Sequence, residues 1–289
     1  MWVPGAVGLA MAAAVFALVR DRPQDCGFPA VERPAAPATA AGADASAAAP
    51  ADAASSVSPA AAPATASGNG RSIRAALAMV VREPGVWALA AAYFFVYVVR
   101  QGLTSWTVLY LMQAKSAAGA GQASLTFSGL ELGGLAGSWA AGAISDAAIK
   151  RAAPGAGLVG VRVRVAMAYT ALTAAALVLL TLVPPGAQAL QWLAVALVGF
   201  AIYGPQMLVG LCGAELVSPA AVGPSQGILG LIAYLGAANA GVPLSAVVQR
   251  AGWPGFFAAL LAACGVTLLL LAPLAGARSY TQRKAAGEL

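Results

Sequence analysis

The sequence predicts an all-α membrane protein: one spanning helix, a long linker, then a bundle of six helices. Three observations carry this reading. Of 289 residues, 60% are hydrophobic and 9% charged, against about 25% charged in soluble chains. Six apolar segments follow Pro84, each long enough to cross a bilayer. The lysines and arginines, finally, alternate from side to side across those segments as the positive-inside rule requires.

In chain order, Trp2 to Val19 is an apolar run closed by Arg20-Asp21-Arg22. A signal peptide carries its basic residues at the start, so residues 1–20 are predicted to span the membrane. Residues 21–83 change abruptly to Ala, Pro, Ser and Gly, and Pro34 to Gly70 holds too little apolar surface to offset chain entropy. A disordered cytoplasmic linker is predicted there. Near its end, Arg71, Arg74 and Arg82 flank Ile73 and Ala75 to Val81, a pattern that suits a short helix on the membrane surface.

Residues 84–277 form the expected bundle, with segments Val86–Met112, Gln122–Ile149, Val163–Val183, Gln188–Leu216, Val222–Val248 and Trp253–Ala275. Residues 278–289 make a cytoplasmic tail. Breaks fall at Pro154-Gly155, Pro184-Pro185-Gly186, Pro219 to Pro224 and Gly252 to Gly255. With the linker in the cytosol, Arg20, Arg22, Arg33, Arg71, Arg74, Arg82, Lys150, Arg151, Arg162, Arg164, Arg278, Arg283 and Lys284 all fall inside. Only Lys115 and Arg250 fall outside, and Arg100 lies within the membrane. The net charge of +6 thus reads as membrane orientation, and no nucleic-acid partner is expected.

Arg100 sits near the middle of the first bundle segment, in Tyr97-Val98-Val99-Arg100-Gln101-Gly102-Leu103-Thr104. A guanidinium at that depth costs about 2.5–3.5 kcal/mol on insertion scales. Its planar fork matches phosphate or carboxylate, so an anion-receiving role follows. Tyr97 and Thr104 lie three before and four after, on the same helical face. Glu131 is the other ionisable group deep in a segment. It is either a structural partner of Arg100 or a group that holds the arginine until an anion arrives.

Other chemistry is thinly represented. The sequence has no histidine, which removes the commonest general base and the usual zinc sites. Gly223-Pro224-Ser225-Gln226-Gly227 matches the GxSxG hydrolase pattern but opens a membrane segment and has no histidine partner. Cys26, Cys212 and Cys264 are far apart and predict no disulfide framework. No enzyme, metal or cofactor is expected. Gly133, Gly134, Gly137, Ser138, Ala141 and Gly142 in the second segment, and Gly223, Gly227, Gly230, Gly236 and Gly241 in the fifth, predict close helix approach.

Gly142-Ala143-Ile144-Ser145-Asp146 followed by Lys150-Arg151 resembles the cytoplasmic loop signature of the major facilitator superfamily, where such acidic and basic residues lock neighbouring helices. Within that superfamily the chain resembles the C-terminal half of an organophosphate:phosphate antiporter, plus the preceding helix. Phe95-Val96-Tyr97 through Arg100 to Trp106 and Tyr110-Leu111 is similar to the seventh helix of bacterial glycerol-3-phosphate transporters, whose arginine contacts phosphate. Tyr203-Gly204-Pro205, beside an expected helix break, and Glu215 fit the tenth. Leu130 to Ser138 with Ala140-Ala141-Gly142, and Ala240 to Ser245, are similar to glucose-6-phosphate translocases. Ser105 departs from both relatives, which commonly have aspartate there.

The resemblance implies exchange of a sugar phosphate, glucose 6-phosphate first among them, for inorganic phosphate by alternating access. It implies that Arg100 pairs with the phosphoryl group and that Tyr97, Tyr203 and Tyr234 donate hydrogen bonds, with Glu131 nearby. It implies the endoplasmic reticulum membrane, with plastid and plasma membranes as alternatives. Helices one to five have no counterpart in the chain, so a truncated antiporter with a missing N-terminal half as partner is expected. The rival reading is a non-transporting membrane subunit or phosphate sensor that pairs with a separate N-terminal half.

Overall fold

The computed structural model of the chain describes residues 8–9, 11–16 and 69–288. The chain divides into two units, Met1–Ala62 and Pro63–Leu289. In the first, Gly8, Leu9 and residues 11–16 are helical, with exposed side chains. The rest of the predicted span over 1–20, and residues 21–68 of the predicted linker, lie outside the described residues.

In the second unit every regular element among the described residues is helical, in agreement with the all-α prediction. The helices are α1 (Asn69–Arg82), α2 (Pro84–Ala114), α3 (Ala120–Lys150), α4 (Leu158–Leu182), α5 (Gln188–Glu215), α6 (Val222–Ala238), α7 (Val242–Leu271) and α8 (Tyr280–Ala285). Toward the end of the segment read as linker, residues 69–82 form α1, where the flanking arginines predicted a short helix. The helix is anchored because Ala76 and Val80 are buried in the same cluster as Val86, Val217 and Ala221, while Leu77, Met79 and Val81 stay exposed.

Pro84 begins α2 at a position whose missing N–H would be unpaired in any helix. At 31 residues α2 is about 46 Å long, ample for a hydrocarbon core of about 30 Å. By length and hydropathy α2, α4, α5 and the run Pro219–Leu274 suffice to cross a membrane. The 31-residue α3 falls short of that hydropathy because Glu131, Asp146, Lys150 and many small residues dilute it.

Within α7, Gly252 has φ 64° and ψ −163°, a left-handed conformation that separates residues 242–251 from 253–271. Residues 222–251 run alongside α2 in the same direction: Gly236 lies against Phe94, Gly102 against Leu244, and the Trp106 indole donates to the Ala240 carbonyl at 2.7 Å. Residues 253–271 return antiparallel to α2. Tyr110 meets Trp253 and Phe257 edge-on at one end, and Gly85 meets Leu274 at the other. The break expected at Pro205 is absent; α5 runs unbroken through it.

The tightest contact joins α3 and α5, which also run parallel. Gly129, Gly133 and Gly137 face Trp192, Ala196 and Phe200 in turn, and Gly199 faces Leu130, each against main chain. A methyl group on Gly133 or Gly137 would overlap a carbonyl oxygen. In α6 the expected stripe is not used in this way among the described residues: Gly223, Gly227 and Gly230 have open space around them there, and Gly236 alone meets a neighbouring backbone.

The two ends of the bundle differ in charge. At one end Lys115 is buried; its ammonium donates to Thr181 O at 2.9 Å and to Val183 O, the exposed carbonyls closing α4. Burial pulls its pKa below the usual lysine value. The opposite, arginine-rich end is held by the tail. Ser279 caps α8 in a reciprocal box with Gln282, which also bonds Leu158 N at 3.0 Å and Ala156 O at 2.8 Å. Arg283 pairs with Glu83 at 2.9 Å and donates to Leu216 O at 3.0 Å. Replacing Arg283 by alanine strands a half-buried carboxylate. We expect it to lower stability by about 1–3 kcal/mol in detergent thermal unfolding, with an unchanged melting temperature as the contrary result.

Candidate functional site

Arg100 lies midway along α2, where the apolar helix faces α3 and α5 rather than lipid alone. Its Nη2 donates to the Tyr203 hydroxyl at 3.2 Å, and its Cζ sits 5.1 Å from the centre of the Tyr203 ring. The Tyr203 hydroxyl in turn donates to Glu131 Oε2 at 2.5 Å. The sequence reading weighed a direct Arg100–Glu131 pair. The structure instead interposes Tyr203, so the phenol accepts from the cation and donates to the carboxylate. Charge is compensated across three helices without closing the guanidinium in a fork. Arg100 Nε is buried and has no acceptor among the described residues.

The glycine contacts set this geometry. Gly134 leaves room for the Tyr203 ring, whose atoms would lie 2.6 Å from any added Cβ. Gly133 and Gly137 on the same helix bring α3 close enough for Glu131 to reach the phenol. Thr104 was grouped with the arginine by spacing, but its hydroxyl is spent on the Arg100 carbonyl at 3.0 Å.

Tyr97 and Tyr234 meet ring to ring, with centroids 5.8 Å apart. Tyr234 is 71% exposed, so its hydroxyl is open to a ligand or to further protein. Tyr93, which the sequence reading passed over, stacks edge-on against Tyr97 at 4.9 Å and donates to the Gln206 carbonyl at 2.9 Å. The signal that could have found it is spacing: Tyr93, Tyr97 and Arg100 recur at four and three residues, one helical stripe. Beside Tyr203 lies a cavity of about 570 Å³, walled by α2, α3, α5 and α6.

The loop motif is rearranged relative to expectation. Gly142 lies against the Met207 side chain. Asp146 pairs with Arg162 at 2.7 Å, and the same guanidinium bonds Glu215 at 2.9 Å and Ser145 at 2.7 Å. Lys150 is exposed, as is Arg151, and neither forms an ion pair among the described residues. The cation that ties α3, α4 and α5 is therefore Arg162, one helix later than the basic residues adjacent in sequence. Lys150 and Arg151 sit where α3 gives out, with side chains free to reach solvent.

Long apolar helices threaded by one mid-helix cation define a multi-pass integral membrane protein. Residues 1–241 match the profile of the Major Facilitator Superfamily, and the chain belongs to that family. It is 32% identical to the "Probable hexose phosphate transport protein" of Chlamydia muridarum, over 98% of this chain and 58% of that protein. It is 34% identical to the "Membrane sensor protein UhpC" of Salmonella typhimurium, over 73% and 46% of the two chains. Against the "Hexose-6-phosphate:phosphate antiporter" of the same organism it is 31% identical, over 68% and 41%. These relatives agree with the resemblance to organophosphate:phosphate antiporters. The chain spans a little over half the length of the relatives it matches most fully.

Proposed function

We propose that the protein to which this chain belongs exchanges a sugar phosphate, glucose 6-phosphate in the first instance, for inorganic phosphate by alternating access. The observation that carries the reading is the half-buried Arg100 guanidinium, midway along α2, with an N–H left unpaired. In the empty site the Tyr203 bridge to Glu131 screens the cation. An arriving phosphoryl group offers Arg100 a better acceptor, and Tyr203, released from Glu131, donates to the same anion along with Tyr97 and Tyr234. A second cation comes from the additional length that the relatives possess, in an N-terminal half facing this one. The bound dianion then bridges the halves and offsets their mutual repulsion. An empty carrier keeps that repulsion and does not cross over, so exchange is obligatory. The Arg162 cluster with Asp146 and Glu215 is the inner gate of this cycle.

The membrane is that of the endoplasmic reticulum, with plastid and plasma membranes as the alternatives. Similarity to a membrane sensor favours one other reading, a receptor that binds the anion without moving it. One measurement separates the two. The complete gene product, reconstituted in liposomes loaded with glucose 6-phosphate, is expected to take up labelled phosphate, and to stop when the internal sugar phosphate is omitted. Saturable binding with no uptake would leave the sensor reading in place.

A further inference from the structure

The cavity beside Tyr203 is lined by Tyr93, Ser138, Gln206, Met207, Gly210 and Gln226 among others, and no charged side chain contributes to its wall. At about 570 Å³ it is of the size that accepts a small metabolite. Tyr203, Gln206 and Gly210 recur along one face of α5. Tyr203 is thus shared: its hydroxyl accepts from Arg100, and the same residue lines the cavity.

The hydrogen-bonding state of the lining is unequal. The Tyr93 hydroxyl spends its proton on the Gln206 carbonyl and keeps its acceptor capacity. Gln226 anchors its Nε2 to the Gly210 carbonyl at 2.9 Å, which leaves its Oε1 as an acceptor held in place. Gln206 is the outlier. Its Oε1 is buried and has no partner among the described residues. An unsatisfied buried acceptor of this kind costs free energy unless water or a ligand completes it.

We infer that this cavity is the subsite for the neutral, hydroxyl-bearing part of the substrate, with Gln206 and Gln226 as the residues that select it. The inference rests on the sugar-phosphate reading above. Hydroxyl groups are donors and acceptors at once and suit fixed amides without charge. The phosphoryl end stays at Arg100, whose guanidinium meets the Tyr203 hydroxyl. A mainly apolar pocket with a few fixed amides discriminates strongly, because a ligand that lacks the hydroxyl leaves those amides unpaired. Inorganic phosphate has nothing to place there and does not use it.

The test reconstitutes the complete gene product and compares wild type, Gln206→Leu and Gln226→Leu. Entry of labelled glucose 6-phosphate and of labelled phosphate is measured against internal phosphate. Both variants are expected to lower the ratio of sugar phosphate to phosphate entry about tenfold, the loss of one or two hydrogen bonds to hydroxyls. Glycerol 3-phosphate, with fewer hydroxyls, is expected to lose less. Gln206→Leu breaks no side-chain bond to the described residues and so decides the matter if Gln226→Leu fails to assemble. An unchanged ratio in Gln206→Leu would make water the partner of its amide and overturn the subsite, with Arg100 still the phosphate site. A wild type that exchanges phosphate but no sugar phosphate would overturn the sugar-phosphate reading and the subsite with it.

Discussion

Arg100→Lys is expected to depress phosphate exchange about ten- to a hundredfold while leaving the amount of folded protein in the membrane unchanged. The size follows from geometry. Lysine keeps the positive charge, so the helix still inserts with one cation at the same depth and Tyr203 still has a donor. What it loses is the planar fork. An arginine offers two parallel N–H groups to two phosphoryl oxygens, whereas an ammonium offers one direction at a time. A hydrogen bond to a charged group contributes about 1.5–3 kcal/mol, and each 1.4 kcal/mol is a factor of ten. Arg100→Ala should be worse for a different reason, because Glu131 then loses the cation that reaches it through Tyr203. The measurement is counterflow of labelled phosphate in liposomes at matched protein content. Normal exchange by the lysine variant would remove Arg100 from the phosphate site.

That arginine was legible in the sequence because nothing competes with it: one cation in the middle of an apolar run of helical length. The helices were legible for a related reason. Gly and Pro clusters punctuate the chain, and the one at Gly252 proves to be a residue with positive φ at the point where the chain reverses. The partners of Arg100 were harder. Tyr203 and Glu131 lie on α5 and α3, and which of three polar groups stands between the other two depends on the spacing of helices. No periodicity within one segment encodes that. The same limit explains the Arg162 cluster. The loop signature names Asp146 with Lys150 and Arg151 as groups that lock neighbouring helices, but α3 carries the two basic side chains to its own end. Arg162 returns on the next helix at the right height. Glycine stripes were read too generously for the converse reason: spacing says that a face is smooth, not that another helix lies on it. In α3 a helix does, and in most of α6 there is none among the described residues.

Gly133→Leu puts that distinction to its strongest test and should cost the bundle its fold. Any Cβ at Gly133 falls within the van der Waals radius of the Ala196 carbonyl, and that oxygen belongs to the main chain of a 28-residue helix. A flexible side chain could swing aside; a helix backbone cannot. Relief requires α3 and α5 to move apart along their whole contact, from Gly129 to Gly137, with loss of the close-range dispersion that replaces hydrophobic driving force between helices in lipid. Overpacking a core by a methylene or two typically costs about 1–3 kcal/mol, and a rigid obstacle and a four-carbon side chain place this case beyond that range. The separation also withdraws Glu131 from Tyr203, so the site fails with the fold. Gly133→Ala meets the same carbonyl with less bulk beyond it: it should melt well below wild type and lose more exchange than its lost stability explains. The control is Gly230→Leu on α6, where no atom of the described residues lies within 4 Å of the added carbon. It should remain monodisperse in detergent and melt within a few degrees of wild type. Equal melting temperatures for Gly133→Leu and wild type would mean that α3 and α5 do not approach as closely as their glycines allow, and the bridge from Arg100 to Glu131 would lose its support.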